Sequence, residues 1–194
     1  MKQTTLAGDA RSAPRPLFAQ VLGDAFETLP APLRALHSIR GDAPYAGMAT
    51  IRRGRHPLAR LCGAVAGLPP ASEAVTTTVD FSAGDRDEVW RRDFGGAGMR
   101  SRLWQRDGRL HERLGPLQFK FQLHVRQAAI HWRVESVRLL GWLPLPVAWF
   151  GGVHCRERVH SGRYEFLVEA RLPWIGPIVR YEGWLLPAAL ESKA

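Results

Sequence analysis

Between Leu117 and Arg126 the chain reads LQFKFQLHVR. Leu117, Phe119, Phe121, Leu123 and Val125 alternate there with Gln118, Lys120, Gln122, His124 and Arg126 without one error. Strict period-two alternation marks a strand with one face in a core and the other in water, because successive side chains leave a strand on opposite sides. The same period runs from Ala74 to Leu186. Val75, Thr77, Val79 and Phe81 share one side of their segment, and Tyr164, Phe166, Val168, Ala170 and Leu172 repeat the pattern. Strands at short, regular spacing with turn residues between them predict an antiparallel meander.

Three two-residue turns set the register. Asp107-Gly108 is a strong hairpin signal, because both central positions of the favoured turn need positive φ. Ser161-Gly162 pairs His160 with Arg163, which brings Arg158 opposite Glu165, His154 opposite Glu169, Val159 opposite Tyr164 and Cys155 opposite Val168. Gln127-Ala128 pairs Lys120 with Glu135, Gln122 with Arg133, Leu123 with Trp132 and Val125 with Ile130. Opposite charges meet on one face and apolar groups on the other, which is how a register is specified.

Before the strands the period is helical. Pro16 opens a stripe of Leu17, Val21, Leu22, Ala25, Phe26 and Leu29, and a short turn carries Leu33, Leu36 and His37. Met48 to Arg53 reads as a first strand. Pro57 then opens a third stripe of Leu58, Leu61, Cys62, Val65 and Leu68. The expected fold is mainly β (α+β): an antiparallel meander of about nine or ten strands, forming a curved sheet or partly closed barrel with two or three amino-terminal helices packed on it. With 194 residues the chain suits one domain. Its expected bounds are 16–187, with a helical part over 16–68, a disordered leader over 1–15 and a tail over 188–194.

Lys+Arg 27 against Asp+Glu 18 leaves a net charge of +9, nearly all of it arginine. The arginines are spread through the β segments, and clusters such as Arg52-Arg53-Gly54-Arg55 and Arg91-Arg92 are short. That spread argues against nucleic acid, which selects a stripe or tail of charge, and for a solvated basic surface. Cys62 and Cys155 match no metal or redox spacing and read as reduced. The polar amino terminus has no signal-peptide h-region. The uncharged stretch Leu139–Val153 is broken by Pro144 and Pro146 and falls short of the ~18 residues of a spanning helix. A cytoplasmic location is expected, with peripheral contact to an anionic membrane as an extension.

Three segments together resemble a bacterial family, the domain of unknown function 4166. They are Leu29-Pro30-Ala31-Pro32-Leu33-Arg34-Ala35-Leu36-His37, then Glu112-Arg113-Leu114-Gly115-Pro116, then the closing run from Leu172-Pro173-Trp174 through Tyr181-Glu182-Gly183-Trp184-Leu185. The resemblance spans roughly residues 17 to 186. Members of that family stand alone or behind NAD(P)-binding modules similar to saccharopine dehydrogenase. This implies a ligand-handling or accessory role beside an oxidoreductase partner and supplies no catalytic residue. The chain carries no G-x-G-x-x-G of its own between a strand and a helix, and Gly95-Gly96-Ala97-Gly98 reads as a turn.

Two carboxylates break the alternation. Glu112 falls on the face of Leu103, Leu110 and Leu114, and Glu157 falls between Cys155 and Val159 opposite Phe166. A carboxylate on an apolar face must be paired, protonated or at the mouth of a cavity. One reading turns each to solvent at a bulge, or pairs it with an arginine such as Arg180. The other makes a polar spot inside a ligand pocket, with Ser101, Arg180, Tyr181 and Trp184 as neighbours. Trp142, Trp149 and Phe150 in the uncharged stretch are either folded over the barrel mouth or a lip for membrane or partner. His124 and His131 oppose each other without a third ligand, so neither a metal nor a cofactor is expected. No G-x-S-x-G elbow or placeable Cys–His pair is present. The leading expectation is a non-enzymatic module for a lipid-like, apolar or amphipathic small molecule with an acidic end. The alternative is an enzyme, or a substrate-binding accessory of a separate NAD(P)-dependent oxidoreductase.

Overall fold

The computed structural model of the protein describes residues 15–188, so the expected leader and tail fall almost wholly outside the described residues. Period-two sequence becomes eleven strands: β1 (Gly41–Arg53), β2 (Ser72–Ala83), β3 (Asp87–Phe94), β4 (Ala97–Arg106), β5 (Arg109–Leu114), β6 (Leu117–Arg126), β7 (Ala129–Leu139), β8 (Leu143–Leu145), β9 (Gly152–His160), β10 (Arg163–Leu172) and β11 (Gly176–Pro187). All neighbouring pairs are antiparallel. The order β6-β5-β4-β3-β2-β1-β11-β10-β9-β7 closes through β6–β7, so ten strands make a complete barrel rather than an open sheet. Closure removes the sheet edges of these ten except where β7 parts from β9 beyond Arg133. β8 is an extra, short strand on β7, whose first half pairs β9 at Ile130–Arg133 and whose last residues pair β8 at Val137–Leu139.

The registers read from Asp107-Gly108 and Ser161-Gly162 are those observed. The Gln127-Ala128 hairpin departs in one place. A bulge between Lys120 and Phe121 leaves Glu135 as the extra residue on β7, so Lys120 faces Ser136 and Phe121 faces Val134. The expected ion pair survives the shift, with Lys120 Nζ 3.2 Å from Glu135 and Arg109 Nε donating to the same carboxylate at 2.7 Å. The first strand is longer than Met48–Arg53 and starts at Gly41. Along it, a Cβ at Gly47 would lie 1.9 Å from the Trp184 carbonyl oxygen, so only glycine lets β1 and β11 approach this closely.

The expected first helix is two pieces. α1 (Leu17–Leu22) ends where Gly23 takes φ 58°, a 3-10 stretch continues over Gly23–Thr28, and α2 (Ala31–Leu36) comes next. Their apolar stripe enters one end of the barrel. Phe18, Leu33 and Leu36 are buried with Tyr45, Phe81, Trp90, Leu103, Leu110, Ile130, Trp132 and Leu185 in one core. All of these barrel residues lie toward the end that holds the β2–β3, β4–β5, β6–β7 and β9–β10 turns, hereafter the plugged end. Phe18 stacks on the His37 ring at 3.6 Å and stands 5.8–6.0 Å from Trp90 and Trp132.

α3 (Pro57–Val65) covers the opposite end with the other set of turns; of its expected stripe, Cys62 and the following Leu68 line the interior, but the other three residues turn outward. Ala59, Gly63 and Ala66 face the barrel, whereas Leu58, Leu61 and Val65 are each at least half exposed. The cause is Arg53. Its guanidinium donates to the carbonyls of Leu68 and Pro69 and lies where a Cβ on Gly63 would sit only 1.7 Å from Nη2. Only the small-residue side of the helix fits over it.

The plug is expected to dominate stability. Phe18→Ala should lower the unfolding free energy in urea by about 3–5 kcal/mol, the range for emptying a fully buried aromatic site. A loss below about 1 kcal/mol would mean the plug is an ornament on a self-sufficient barrel.

Candidate functional site

Inward-facing positions of β3 are Glu88, Trp90, Arg92 and Phe94, so alternation carries an acid and an arginine into the barrel. Arg92 Nη1 donates to Ser101 Oγ at 2.9 Å, its Nη2 lies 3.9 Å from Glu112 Oε1, and its Cζ rests 4.9 Å above the Trp90 ring. Ser101 on β4 also favours the charged form of Glu112 on β5, so its hydroxyl stands between the arginine and the carboxyl. Across the interior, Glu157 on β9 shares a buried hydrogen bond of 2.5 Å with His37 Nε2, and the same carboxylate helps to raise the Tyr164 phenol on β10. Glu88 accepts from Trp90 Nε1 at 3.0 Å.

Of these groups, Arg92, Glu112, Glu157 and Tyr164 form the polar patch of an otherwise apolar cavity of about 160 Å3. Arg92, Glu112, Cys155, Glu157, Tyr164 and Tyr181 line it beside Phe81, Trp90, Phe119, Phe121, Trp132 and Phe166, and Cys62 and Ala66 of α3 close it at the far end. A cavity of about 150 Å3 is enough for a benzene-sized guest.

Burial governs the electrostatics. It raises the Glu112 carboxyl above the ordinary range, with Arg92 and Ser101 opposing and Glu157 reinforcing. It raises Glu88 in the same way, against His37 and the Trp90 bond. The Cys155 thiol is pushed far up by burial and then by Glu112 and Glu157. Tyr164 and Tyr181 are likewise raised, chiefly by burial. At neutral pH both phenols and the thiol therefore keep their protons. The tyrosines are hydrogen-bond donors, and Cys155 lacks the thiolate a nucleophile needs.

Glu112, Glu157, Ser101 and Tyr181 all lie inside the barrel. Arg180 and Trp184 do not. Tyr181 faces inward, so its alternating neighbours on β11 face out: Arg180 bonds Glu182 at 2.9 Å, and Arg163 lies 4.5 Å over the Trp184 ring. Neither carboxylate turns to solvent; their partners are Arg92 and His37. Trp142 and Trp149 are exposed, but Phe150 is buried and forms cavity wall against Phe119. Arg92, Glu88, His37 and Tyr164 escape a reading of the sequence alone. Trp90, two residues from both Glu88 and Arg92, and Phe94, two beyond Arg92, carry the signal for the first pair. His124 and His131 stack at 5.3 Å on the outer face, and among the described residues no three metal-ligating side chains converge.

The family model described as "Domain of unknown function (DUF4166)" matches residues 29–185, and the chain belongs to that family. No curated protein matches. Among solved structures, the crystal structure of Rv2717c from M. tuberculosis is similar at 14% identity, covering 82% of this chain and 99% of that one with a TM-score of 0.43.

Glu88 gives a pH test with a definite sign. Its folded pKa is raised, so the folded state holds the proton more tightly than the unfolded chain. Its contribution to stability is complete below the unfolded value near 4.5 and is lost as pH rises through the folded pKa. Glu88→Gln keeps an acceptor for Trp90 and removes the titration. The melting temperature of the variant should therefore gain on that of the natural protein as pH climbs above about 4.5. Parallel melting curves across pH 4 to about 8 would refute the buried-acid assignment.

Proposed function

We propose that this member of the family is a non-enzymatic binding module whose barrel holds a slender apolar or amphipathic molecule by its acidic end. The observation that carries the reading is Arg92, a buried guanidinium at the polar patch of an apolar cavity. Its nearest carboxyl, Glu112, stands 3.9 Å away and is driven toward the neutral acid by burial. Burial weakens the charge on Glu112, so Arg92 is short of a full counter-charge, which a ligand carboxylate would supply. Such a charge-assisted bond is about twice as strong as a neutral one. Tyr164 and Tyr181, held protonated, add donors, and the aromatic walls take the apolar part. The protonated Cys155 supports binding over nucleophilic chemistry.

Octanoate is a probe of suitable shape, and octanol is its uncharged control. Octanoate should quench or shift emission from Trp90 and Trp132 and raise the melting temperature, with octanol at least about tenfold weaker. Arg92→Met should abolish that preference, and Glu112→Gln should change octanoate affinity more than melting temperature. Native mass spectrometry of detergent-free protein should show a co-purifying acid. Equal response to both probes, or to neither, sinks the reading.

A further inference from the structure

Among the described residues, nine of the ten large apolar side chains that stand exposed lie at the end of the barrel opposite the plug. Leu58, Leu61 and Val65 form the outward stripe of α3. Leu140, Trp142 and Leu143 surround the β7–β8 turn. Val147 and Trp149 lie on the 3-10 helix Val147–Phe150, and Trp174 tips the β10–β11 turn. They belong to one surface. The turn after β7 is bonded to the β5–β6 turn through Leu140 N to Pro116 O at 2.7 Å, and Gly115 of that turn lies against Val65 and Ala66 of α3. Gly54, just before α3, bonds back to Ile178 beside the β10–β11 turn. Trp174 is 89% exposed and takes φ 60°, a conformation ordinarily left to glycine.

The charge around this surface is one-sided. Arg52, Arg55, Arg60, Arg113, Arg138 and Arg171 are exposed at this end, against the exposed Glu73 and the half-buried Asp93 and Glu169. The acids Asp24, Glu27, Asp42, Asp85 and Asp107 lie toward the plugged end. A patch of tryptophan and leucine ringed by arginine, on a helix whose large apolar residues point away from the protein, matches the interface of an anionic bilayer: apolar groups and indoles sit at the headgroup boundary while arginines meet lipid phosphates. We infer that this end docks on an anionic membrane surface, with α3 lying in the interface and Trp142, Trp149 and Trp174 as anchors. The docking stands on the outer surface alone and holds whether or not the cavity takes an acid.

Vesicles of phosphatidylcholine alone, and of phosphatidylcholine with about one third phosphatidylglycerol, give the test by flotation and tryptophan emission. The full chain should float with the anionic vesicles and shift its emission to the blue. It should stay behind with neutral ones and be released as salt is raised from about 0.1 M to 1 M, where screening shortens from ~10 to ~3 Å. Leu61→Ser with Val65→Ser, and separately Trp142→Ser with Trp174→Ser, should each lower partition at least about tenfold at unchanged melting temperature, while Trp142→Phe keeps it. Failure of the natural chain to float, equal binding to both vesicles, or full binding by either serine pair overturns the inference. So does a dimer in light scattering that the serine pairs dissociate, since the face would then be an interface between copies.

Discussion

The hydrogen bond from His37 to Glu157, buried on both sides, ties the helical plug to the barrel wall. It crosses 120 residues of sequence and pairs a group on the loop after α2 with an inward carboxylate on β9. Phe18 stacks on the same ring, so α1, α2 and the wall meet at one point. Breaking such a buried pair by removing one partner leaves an uncompensated polar group at a cost of about 3–5 kcal/mol. The interaction is therefore worth more as a positional constraint than as net stabilisation: Glu157 can be tolerated in the apolar interior only with the plug in place.

That constraint gives the barrel two unlike ends. Antiparallel connectivity sends alternate turns to opposite ends, and the plug fills the one whose turns are short and polar. The long connections gather at the other: the one that contains α3, and the one that contains β8 and Val147–Phe150. There the wall is also thinnest. β7 pairs β9 only as far as Arg133 and then turns to β8, so beyond Arg133 the seam has no hydrogen-bond ladder, and Phe150 and Val153 line the cavity there. The cavity lies between the rigid plug and this looser seam.

Much of the barrel is legible in the sequence because its turns carry their own chemistry. Asp107-Gly108 and Ser161-Gly162 fix the conformation at the turn, and a strand's period of two then fixes every partner back along it. The bulge at Glu135 has no such local signal, and its Lys120 ion pair would look alike in either register. Glu112 and Glu157 are visible as breaks in an apolar face. Arg92 is hidden in Arg91-Arg92, which reads as surface charge until Trp90 and Phe94 set the alternation. Arg180 and Trp184 are drawn into the pocket by proximity in sequence to Tyr181, although odd spacing on a strand sends them to the other side. The stripe on α3 is legible but its direction is not, because periodicity gives an apolar face without saying what lies beneath it, and here that is the Arg53 guanidinium.

β1 lies beside β11, with Gly47 and Gly183 permitting the close fit. Of the ten barrel strands, the one that leaves the ribosome first thus pairs with the one that leaves last. Until about 140 residues more have been made, β1 has β2 on one edge and nothing on the other, and the plug segment before it has no finished interior to fill. Contacts of such long separation form slowly, since the loop must close before it is rewarded. The nascent chain therefore carries an unpaired edge and an uncovered aromatic face throughout most of its synthesis, the condition in which chaperone capture competes with aggregation.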